Sequence, residues 1–440
     1  MQIKIGLDRL NIYLITTGDR NYHLRRRKVN IVGAGIGGLT TALCLHANGF
    51  DVDVFESAKE IKPLGVGINI LPHAVRVLTN LGLQDRLDQL AIATSELVYY
   101  NKFGQKIWQE PRGRFAGYNW PQFSIHRGKF QMLLLEEVKR TLGSSCIHTG
   151  HCLQYFENRG DKTTAIFVNK ESDSVIAKAE ADLLVGADGI HSTVRRQFYP
   201  AEGPPKFAGI ILHRGTTKAN PFLTGSSMIM AGSPDKKFVA YPIDPGYDEN
   251  GNQLINWIAD LRVNAEENMI PQNWNRKADK EKLQRAFGSW RFEWLDIPFL
   301  ISNAENIYEF PMSDRDPLPR WSFDNITLLG DAAHPMYPIG SNGASQAILD
   351  AECLAECLGN EDDLKTAFKN YEAIRLPATA KIVLQNRQMG PEQVMQIVED
   401  RAPNGFENLY DVISEQELET IAARYKQIAG FDKDLLNQKQ

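Results

Sequence analysis

A glycine-rich turn between a predicted strand and a predicted helix most constrains how this chain can fold. An apolar run leads into the sequence GAGIGG, and an amphipathic helical pattern follows it. Gly33 permits the tight turn, Gly35 lets a pyrophosphate approach, and Gly38 lets the helix pack on the strand. A second apolar run ends in Glu56, which is placed to accept hydrogen bonds from an adenosine ribose. This context predicts a dinucleotide-binding unit in which Gly33, Gly35, Ile36 and Gly38 contact the cofactor.

The stretch ITLLGDAAHPMYPIGSNGASQA holds similar elements further along the chain. Its apolar start predicts a buried strand that a glycine ends. Asp331 then provides a carboxylate at the strand tip, which suits a sugar hydroxyl. Ser341, Asn342 and Gly343 precede a helix predicted over residues 344–358, and the free N–H groups of a helix start attract an anion. We interpret the stretch as a second part of a cofactor cradle; an ordinary tight loop before a helix is the alternative.

Two further junctions between strand and helix carry charged residues. Arg127 precedes a helix predicted over residues 130–142, where its guanidinium can reach a cofactor phosphate or ribose. A surface salt bridge is the alternative for Arg127. The run GADG follows a strand predicted over residues 181–185, and its Asp188 repeats the carboxylate at a strand tip. Asp-Gly is also a common turn, so this motif gains weight only from the others.

The pattern changes after about residue 200. Four strand-like runs separated by turn signals predict an antiparallel sheet inserted into the α/β unit. A polar helical stretch follows over residues 264–291, with Trp274 and Trp290 as anchors, and residues 98–108 read as a hairpin. The predicted divisions are an N-terminal extension (1–27), the first part of a cofactor-binding domain (28–200), a substrate-binding sheet domain (201–305), a return to the first domain (306–360) and a C-terminal helical region (361–440).

Charge and cysteine usage exclude several classes of function. The net charge of -5 gives no electrostatic case for binding nucleic acid. No apolar run reaches the roughly 18 residues that a membrane span needs. The five cysteines form no CxxC pair and have no zinc spacing with histidines, so no metal site is predicted. Free thiols without a secretion signal predict a cytoplasmic protein.

Three of these motifs together resemble the fingerprints of the single-component FAD-dependent aromatic hydroxylases, the group typified by p-hydroxybenzoate and salicylate hydroxylases. They are GAGIGG with Glu56, GADG with Asp188, and GDAAHPMYPIGSNGA. The runs LPHAV, HRGTTKANPFLTGSSMIMAG and HPMYPIGSNGASQAILDA are most similar to the 5-methylphenazine-1-carboxylate 1-monooxygenase branch of that group. The resemblance spans residues 28–386. It implies an α/β fold with a Rossmann-type FAD-binding domain, an inserted antiparallel β-sheet substrate domain and C-terminal helices.

The resemblance also implies roles for individual residues. Glu56 would bind the adenosine ribose of FAD, Arg127 the middle of the cofactor, and Asp331 the ribityl chain or the pyrophosphate side. Asp188 would serve both FAD and the nicotinamide nucleotide. Because the chain holds no second GxGxxG, NAD(P)H is expected to have no domain of its own. The residues implied to place N–H groups against the pyrimidine edge of the flavin are Ser341, Asn342 and Gly343.

The implied activity is hydroxylation of a small aromatic substrate, acidic or phenolic, with NAD(P)H and O2. His213, expected on a sheet strand facing the pocket, is the candidate catalytic residue, since histidine exchanges a proton near neutral pH. That His213 merely fills a sheet position is the alternative. Arg214 would hold an acidic substituent of the substrate or touch the flavin. Met230 and Tyr241 would line the same cavity.

Two other functions are compatible with the sequence. One is an FAD-dependent reductase or oxidase of the same fold, and the other is a protein that holds FAD without turnover. A flavin disulfide reductase is disfavoured, because a redox cysteine pair and a second nucleotide motif are both absent. The oligomeric state is left open between a monomer and a homodimer.

Overall fold

A computed structural model describes residues 27–63, 65–263 and 278–438. The predicted N-terminal extension therefore lies almost wholly outside the described residues. The strands are β1 (Lys28–Val32), β2 (Asp51–Glu56), β3 (Gly67–Ile70), β4 (Ile92–Ala93), β5 (Glu96–Tyr100), β6 (Lys106–Pro111), β7 (Phe123–His126), β8 (Ile147–Thr149), β9 (Cys152–Arg159), β10 (Lys162–Val168), β11 (Val175–Ala181), β12 (Leu183–Gly186), β13 (Lys206–Ala219), β14 (Ser227–Ser233), β15 (Lys236–Tyr247), β16 (Gln253–Arg262), β17 (Arg291–Phe292), β18 (Leu295–Asp296), β19 (Ile307–Asp314) and β20 (Ile326–Leu328).

The helices are α1 (Ile36–Ala47), α2 (Pro72–Asn80), α3 (Gln84–Leu90), α4 (Arg127–Leu142), α5 (Thr193–Phe198), α6 (Lys280–Phe287), α7 (Ile297–Ser302), α8 (Gly343–Asn360), α9 (Leu364–Arg387), α10 (Gln393–Arg401), α11 (Glu415–Ile428) and α12 (Lys433–Asn437). No helix within the described ranges is both long enough and apolar enough to cross a membrane.

A parallel sheet with the strand order β20-β12-β1-β2-β8 forms the centre of the first domain. The register aligns Val32 at the end of β1 with Gly186 at the end of β12, and Gly186 with Leu328 at the end of β20. Because parallel strands end at the same edge, the loops that follow these three strands meet there. Those loops carry the three sequence motifs. The predicted strand–turn–helix–strand order of the first motif is confirmed by β1, α1 and β2.

A second, larger sheet has the strand order β19-β13-β16-β15-β14-β5-β6. The four strands predicted between residues 210 and 261 form its centre as β13, β14, β15 and β16, and those of them that neighbour one another pair antiparallel. The hairpin predicted near residues 98–108 is present as β5 and β6. It joins the same sheet through a parallel pairing of β5 with β14, so the sheet is mixed rather than wholly antiparallel.

One face of the large sheet is covered by α6 and α7. Trp257 and Phe238 from the sheet pack with Phe287 of α6 and with Trp290, which is buried as predicted. Most of the helical stretch predicted before Trp290 falls on residues 264–277. These residues, including Trp274, lie outside the described part of the chain.

The opposite face of the large sheet is shared between two neighbours. Val394, Met395 and Val398 of α10 and Leu418 of α11 pack over β5, β6 and β14, together with Met228 and Met230. The remaining part of this face, on β13 and β16, turns toward the loops at the edge of the parallel sheet. A cavity lies between the two domains at this place.

Candidate active site

The loop after β1 allows a ligand to approach the backbone closely. Gly33 has a φ of 107°, and a Cβ there would lie 2.4 Å from the carbonyl oxygen of Ala187. A Cβ on Gly38 would lie 1.9 Å from the carbonyl oxygen of Gly33, so only glycine lets α1 pack here. A Cβ on Gly35 would meet nothing within 4 Å. Open space beside Gly35 is the room that a pyrophosphate at a helix start requires.

The first turn of α1 and the end of β2 complete this corner. No side chain caps α1, which begins at the buried Ile36, so its first N–H groups remain available to an anion. The Glu56 carboxylate accepts hydrogen bonds from the backbone N–H groups of Ala34 (2.9 Å) and Ala58 (2.8 Å). These bonds fix the carboxylate beside the glycine loop. Its contact with a ribose stays a prediction.

Asp188 lies just after β12, against Gly33. Its Oδ2 accepts hydrogen bonds from the N–H groups of Thr193 (2.7 Å) and Val194 (3.3 Å) at the start of α5. Its Oδ1 is buried and has no hydrogen-bond partner among the described residues. Burial raises the pKa of Asp188, and hydrogen bonding by Ser192 and by the start of α5 opposes that rise. An unpaired carboxylate oxygen at this sheet edge fits a ligand that carries hydroxyl groups.

The loop between β20 and α8 adopts an unusual backbone. Gly340 and Ser341 both have positive φ angles, 68° and 58°. For Ser341 this left-handed conformation is costly, and the surrounding structure must hold it in place. No side chain caps α8 at its first residue, Gly343, and a Cβ on Gly343 would meet nothing within 4 Å. The start of α8 therefore has uncapped N–H groups next to open space.

Asn342 supports this loop from within the protein. Its buried Nδ2 donates to the Tyr425 hydroxyl (2.8 Å) and to the Gly340 carbonyl (3.1 Å). The Tyr425 hydroxyl donates to Oδ1 of Asn386 (3.0 Å). Tyr425 lies in α11, so the C-terminal helices hold the start of α8. The sequence assigns no role to Tyr425, since a lone tyrosine in a helical pattern is typical of core packing.

A cavity of about 430 Å³ lies between the loop before α8 and the large sheet. Ligand pockets commonly have volumes of roughly 300–1,000 Å³. The structure thus brings together residues that the sequence assigned to the flavin and residues that it assigned to the substrate. The predicted residues that line the cavity are Arg127, Arg214, Met230, Tyr241, Asp331, Ser341, Asn342 and Gly343.

Two arginines and one aspartate set the charge at the end of the cavity near the first domain. Burial lowers the pKa of Arg127, the neighbouring Arg214 lowers it further, and Asp331 opposes both. Burial has the opposite effect on the carboxyl group of Asp331, whose pKa it raises. Arg214 donates a hydrogen bond to the Gly67 carbonyl (3.2 Å) and another to the Tyr241 hydroxyl. Burial raises the pKa of Tyr241 to about 12, and Arg214 opposes that rise. Two neighbouring guanidinium groups make this end attractive to an anionic group.

The structure does not bring His213 to the cavity. Its neighbours on β13, Leu212 and Arg214, line the cavity, and side chains alternate between the faces of a strand. His213 is buried, its Nδ1 hydrogen-bonds the Ala259 carbonyl (3.0 Å), and its Nε2 lies 3.6 Å from Glu309. The predicted orientation of His213 toward the pocket was therefore wrong, because the sequence pattern does not fix which face of β13 meets the cavity.

Besides Glu309, three further ionisable residues that the sequence reasoning missed line the cavity: Lys237, Asp260 and Glu392. Lys237 shares one face of β15 with Val239 and Tyr241, and Asp260 shares one face of β16 with Ile258. The only indication of these residues in the sequence was a charged residue at a strand position where the alternating pattern predicts an apolar one. Their proximity depends on the register of β15 against β16 and on the packing of the chain after α9, which no local pattern specifies.

Comparison with known proteins agrees with this geometry. A family model described as "FAD binding domain" matches residues 26–386. The chain is 45% identical over 359 residues to phenazine 1,6-dicarboxylic acid hydroxylase PhzS of Lysobacter antibioticus, covering 81% of this chain and 88% of that protein. It is 30% identical to 6-hydroxynicotinate 3-monooxygenase of Pseudomonas fluorescens, covering 81% and 89% of the two chains.

Solved structures share the fold. A salicylate hydroxylase in complex with substrate has a TM-score of 0.71 at 22% identity and covers 94% of this chain and 97% of that one. HpxO of Klebsiella pneumoniae with FAD and uric acid has a TM-score of 0.70 at 21% identity, covering 96% and 97%. Together with the family match and the glycine loop, the unpaired Asp188 oxygen and the uncapped helix starts, these findings identify the cofactor as FAD. The chain belongs to the FAD binding domain family, as one of its FAD-dependent aromatic-ring monooxygenases.

Proposed function

We propose that the protein uses NAD(P)H and O2 to hydroxylate a small aromatic acid or phenol in the cavity between its two domains. The observation that carries this proposal is the cavity itself, where Arg214, Met230 and Tyr241 share one space with the start of α8 and Asp331. Bound FAD supplies the redox chemistry, taking electrons from NAD(P)H and activating O2. The contribution of the chain is to bind and orient the ring and to exclude water.

Apolar side chains provide the surface for a planar ring. Met228 and Met230 of β14, Val239 of β15 and Ile258 of β16 line the side of the cavity formed by the large sheet. The opposite side includes Met336 and other residues of the loop before α8. Such walls bury both faces of an aromatic ring and keep water from the reacting atoms.

Arg214 is the residue that we assign to an acidic substituent of the substrate. Its Nε is buried with no hydrogen-bond partner among the described residues, while Gly67 and Tyr241 hold the rest of the guanidinium. A guanidinium held in this way binds carboxylate or phenolate with little further loss of side-chain freedom. The names of the relatives support an acidic ring, since they include a phenazine dicarboxylic acid hydroxylase and a 6-hydroxynicotinate monooxygenase.

We assign the remaining predicted residues to FAD: the loop from Gly33 to Gly38 to the pyrophosphate, Glu56 to the adenosine ribose, Arg127 and Asp331 to the middle of the cofactor, and the start of α8 to the flavin edge. NAD(P)H would reach the flavin from outside, since the sequence has no second GxGxxG. For the same reason we expect substrate binding to control reduction of the flavin.

The test is a screen of aromatic acids and phenols for stimulated oxidation of NADH and of NADPH, with products identified by mass spectrometry. We expect at least one acid to raise the oxidation rate above basal and to gain one oxygen atom. Arg214→Met should raise KM for that acid while FAD content stays normal. The control is Arg262→Met, an exposed arginine on the same sheet whose partner is Asp235. Failure of every compound to stimulate oxidation would favour a flavin-binding protein without turnover.

A further inference from the structure

A buried ion cluster also lines the cavity. Lys237 Nζ is 2.6 Å from Glu392 Oε2 and 3.0 Å from Asp260 Oδ2, and all three side chains are at least 90% buried. Asp260 Oδ1 is buried and has no hydrogen-bond partner among the described residues. Leaving such an oxygen unpaired costs free energy, which a donor on a bound ligand would recover.

The strand register fixes where this cluster lies. Asp260 is directly opposite Lys237 on one side and Leu212 on the other. Arg214 is two residues further along β13, in the row of Ile258. Two residues of strand correspond to about 7 Å, which is comparable to the width of an aromatic ring system. A substrate held by Arg214 can therefore extend to Asp260.

The charge of the cluster selects the kind of group that can bind there. The Lys237 ammonium group lies between two carboxyl groups, and burial raises the pKa of Glu392 although Lys237 opposes that rise. Although burial alone would lower the pKa of Lys237, Asp260 and Glu392 outweigh it and raise that pKa, so the ammonium form is stabilised. Lys237 is thus already paired with its own neighbours, so the cluster offers no unpaired positive charge to an ionised carboxylate on the substrate.

We propose that Lys237, Asp260 and Glu392 form a substrate subsite for a hydrogen-bond donor, an O–H or N–H group on the ring, with Asp260 Oδ1 as the acceptor. This subsite rests on the proposed function and defines the substrate class. The substrate would be a planar aromatic compound with an acidic group at Arg214 and a hydrogen-bond donor about one ring system away. Lys237 orients the Asp260 carboxylate, and Glu392 holds Lys237. Glu392 follows the residues that the family model matches, so the chain after α9 contributes to substrate selection.

The experiment measures equilibrium binding to the FAD-loaded protein by calorimetry and by the change in flavin absorbance. The probes are 3-hydroxybenzoate, its methyl ether 3-methoxybenzoate, and phenazine-1,6-dicarboxylate beside phenazine-1-carboxylate. We expect 3-hydroxybenzoate to bind about tenfold more tightly than the ether, since a hydrogen bond to a charged group contributes this much. Asp260→Asn should remove that preference. The amide oxygen of the new asparagine would face Lys237, and its NH2 group would replace the acceptor Asp260 Oδ1.

Asp235→Asn, an exposed aspartate paired with Arg262 before β15, is the matched control and should keep the preference. An unchanged preference in Asp260→Asn with normal FAD content would overturn the subsite. Tighter binding of phenazine-1,6-dicarboxylate than of phenazine-1-carboxylate would also overturn the subsite if the difference disappears in Lys237→Met. Lys237 would then bind an ionised carboxylate. If Asp260→Asn does not retain FAD, Glu392→Gln takes its place, and the wild-type affinities for 3-hydroxybenzoate and 3-methoxybenzoate are compared. Equal wild-type affinities for the two compounds refute the proposal. Absence of binding by all four probes, together with failure of every compound in the screen to stimulate oxidation, would instead refute the proposed function.

Discussion

Replacing Asp350 by Asn should destabilise the protein and loosen the loop that carries Asp331. Asp350 is fully buried in α8. Its Oδ1 accepts a hydrogen bond from Arg375 Nε (2.7 Å), and its Oδ2 accepts one from the Gly330 N–H (3.1 Å) and contacts the His334 ring. One carboxylate thus ties α8 to α9 and to both ends of the segment 330–334.

The size of the effect follows from the charges around Asp350. Burial alone would raise the pKa of this carboxyl, but His334 and Arg375 outweigh it and lower the pKa from 3.8 to about 2. That change corresponds to about 2.5 kcal/mol of preference for the ionised form. Leaving Arg375 buried without its partner costs roughly 3–5 kcal/mol in comparable networks. We therefore expect Asp350→Asn to lower the free energy of unfolding by about 3 kcal/mol.

Urea denaturation of the FAD-loaded protein at neutral pH measures this change, with Asp400→Asn as the control. Asp400 is exposed in α10, and its neighbour is the Gln396 amide, so its replacement should change stability by less than about 0.5 kcal/mol. Because the folded-state pKa of Asp350 is depressed, its contribution is complete above about pH 4 and is lost as pH falls toward 2. The gap between wild type and Asp350→Asn should therefore narrow on acidification. Equal stability of Asp350→Asn and Asp400→Asn, or a gap that widens toward low pH, would refute this reasoning.

Three further predictions concern the site. Asp331→Ala should reduce the FAD content of the purified protein more than Arg127→Ala does, because a strand-tip carboxylate has few substitutes whereas water can replace part of a guanidinium; equal flavin content would contradict this order. Gly35→Ala should keep the melting temperature of the apoprotein but weaken FAD binding about tenfold or more, while Gly38→Ala, with its Cβ 1.9 Å from a carbonyl oxygen, should lower the melting temperature itself. Tyr425→Phe should cost about 1–2 kcal/mol of stability and weaken FAD binding, since Asn342 loses one of its two hydrogen-bond acceptors; unchanged FAD affinity by fluorescence titration would limit Tyr425 to packing.

The sequence predicted the parts of the site that depend on local backbone geometry. GAGIGG needs glycine at Gly33 and Gly38 because backbone atoms lie where a Cβ would be. The strand ends that carry Asp188 and Asp331 could be read from short apolar runs. Their meeting at one edge then follows from the parallel pairing of β12 with β1 and of β20 with β12.

The parts that sequence reasoning missed depend on pairing between distant residues. The face of β13 that meets the cavity is set by its contacts with β16 and β19, so His213 and Arg214 could not be told apart by alternation alone. Lys237 and Asp260 meet only through the register of two strands. The parallel contact of β5 with β14 spans more than a hundred residues of chain. None of these arrangements leaves a local pattern.

Incorporation of isotopic oxygen shows whether the protein transfers an oxygen atom from O2 to an aromatic ring. The protein, loaded with FAD, is incubated with NADH or NADPH, an aromatic acid that stimulates oxidation, and ¹⁸O2 in unlabelled water. We expect a hydroxylated product that carries one ¹⁸O atom, with the second oxygen atom reduced to water. A product whose new oxygen comes from water, or consumption of O2 that yields only hydrogen peroxide with every stimulating acid, would contradict the assignment of this cavity as the site of aromatic hydroxylation.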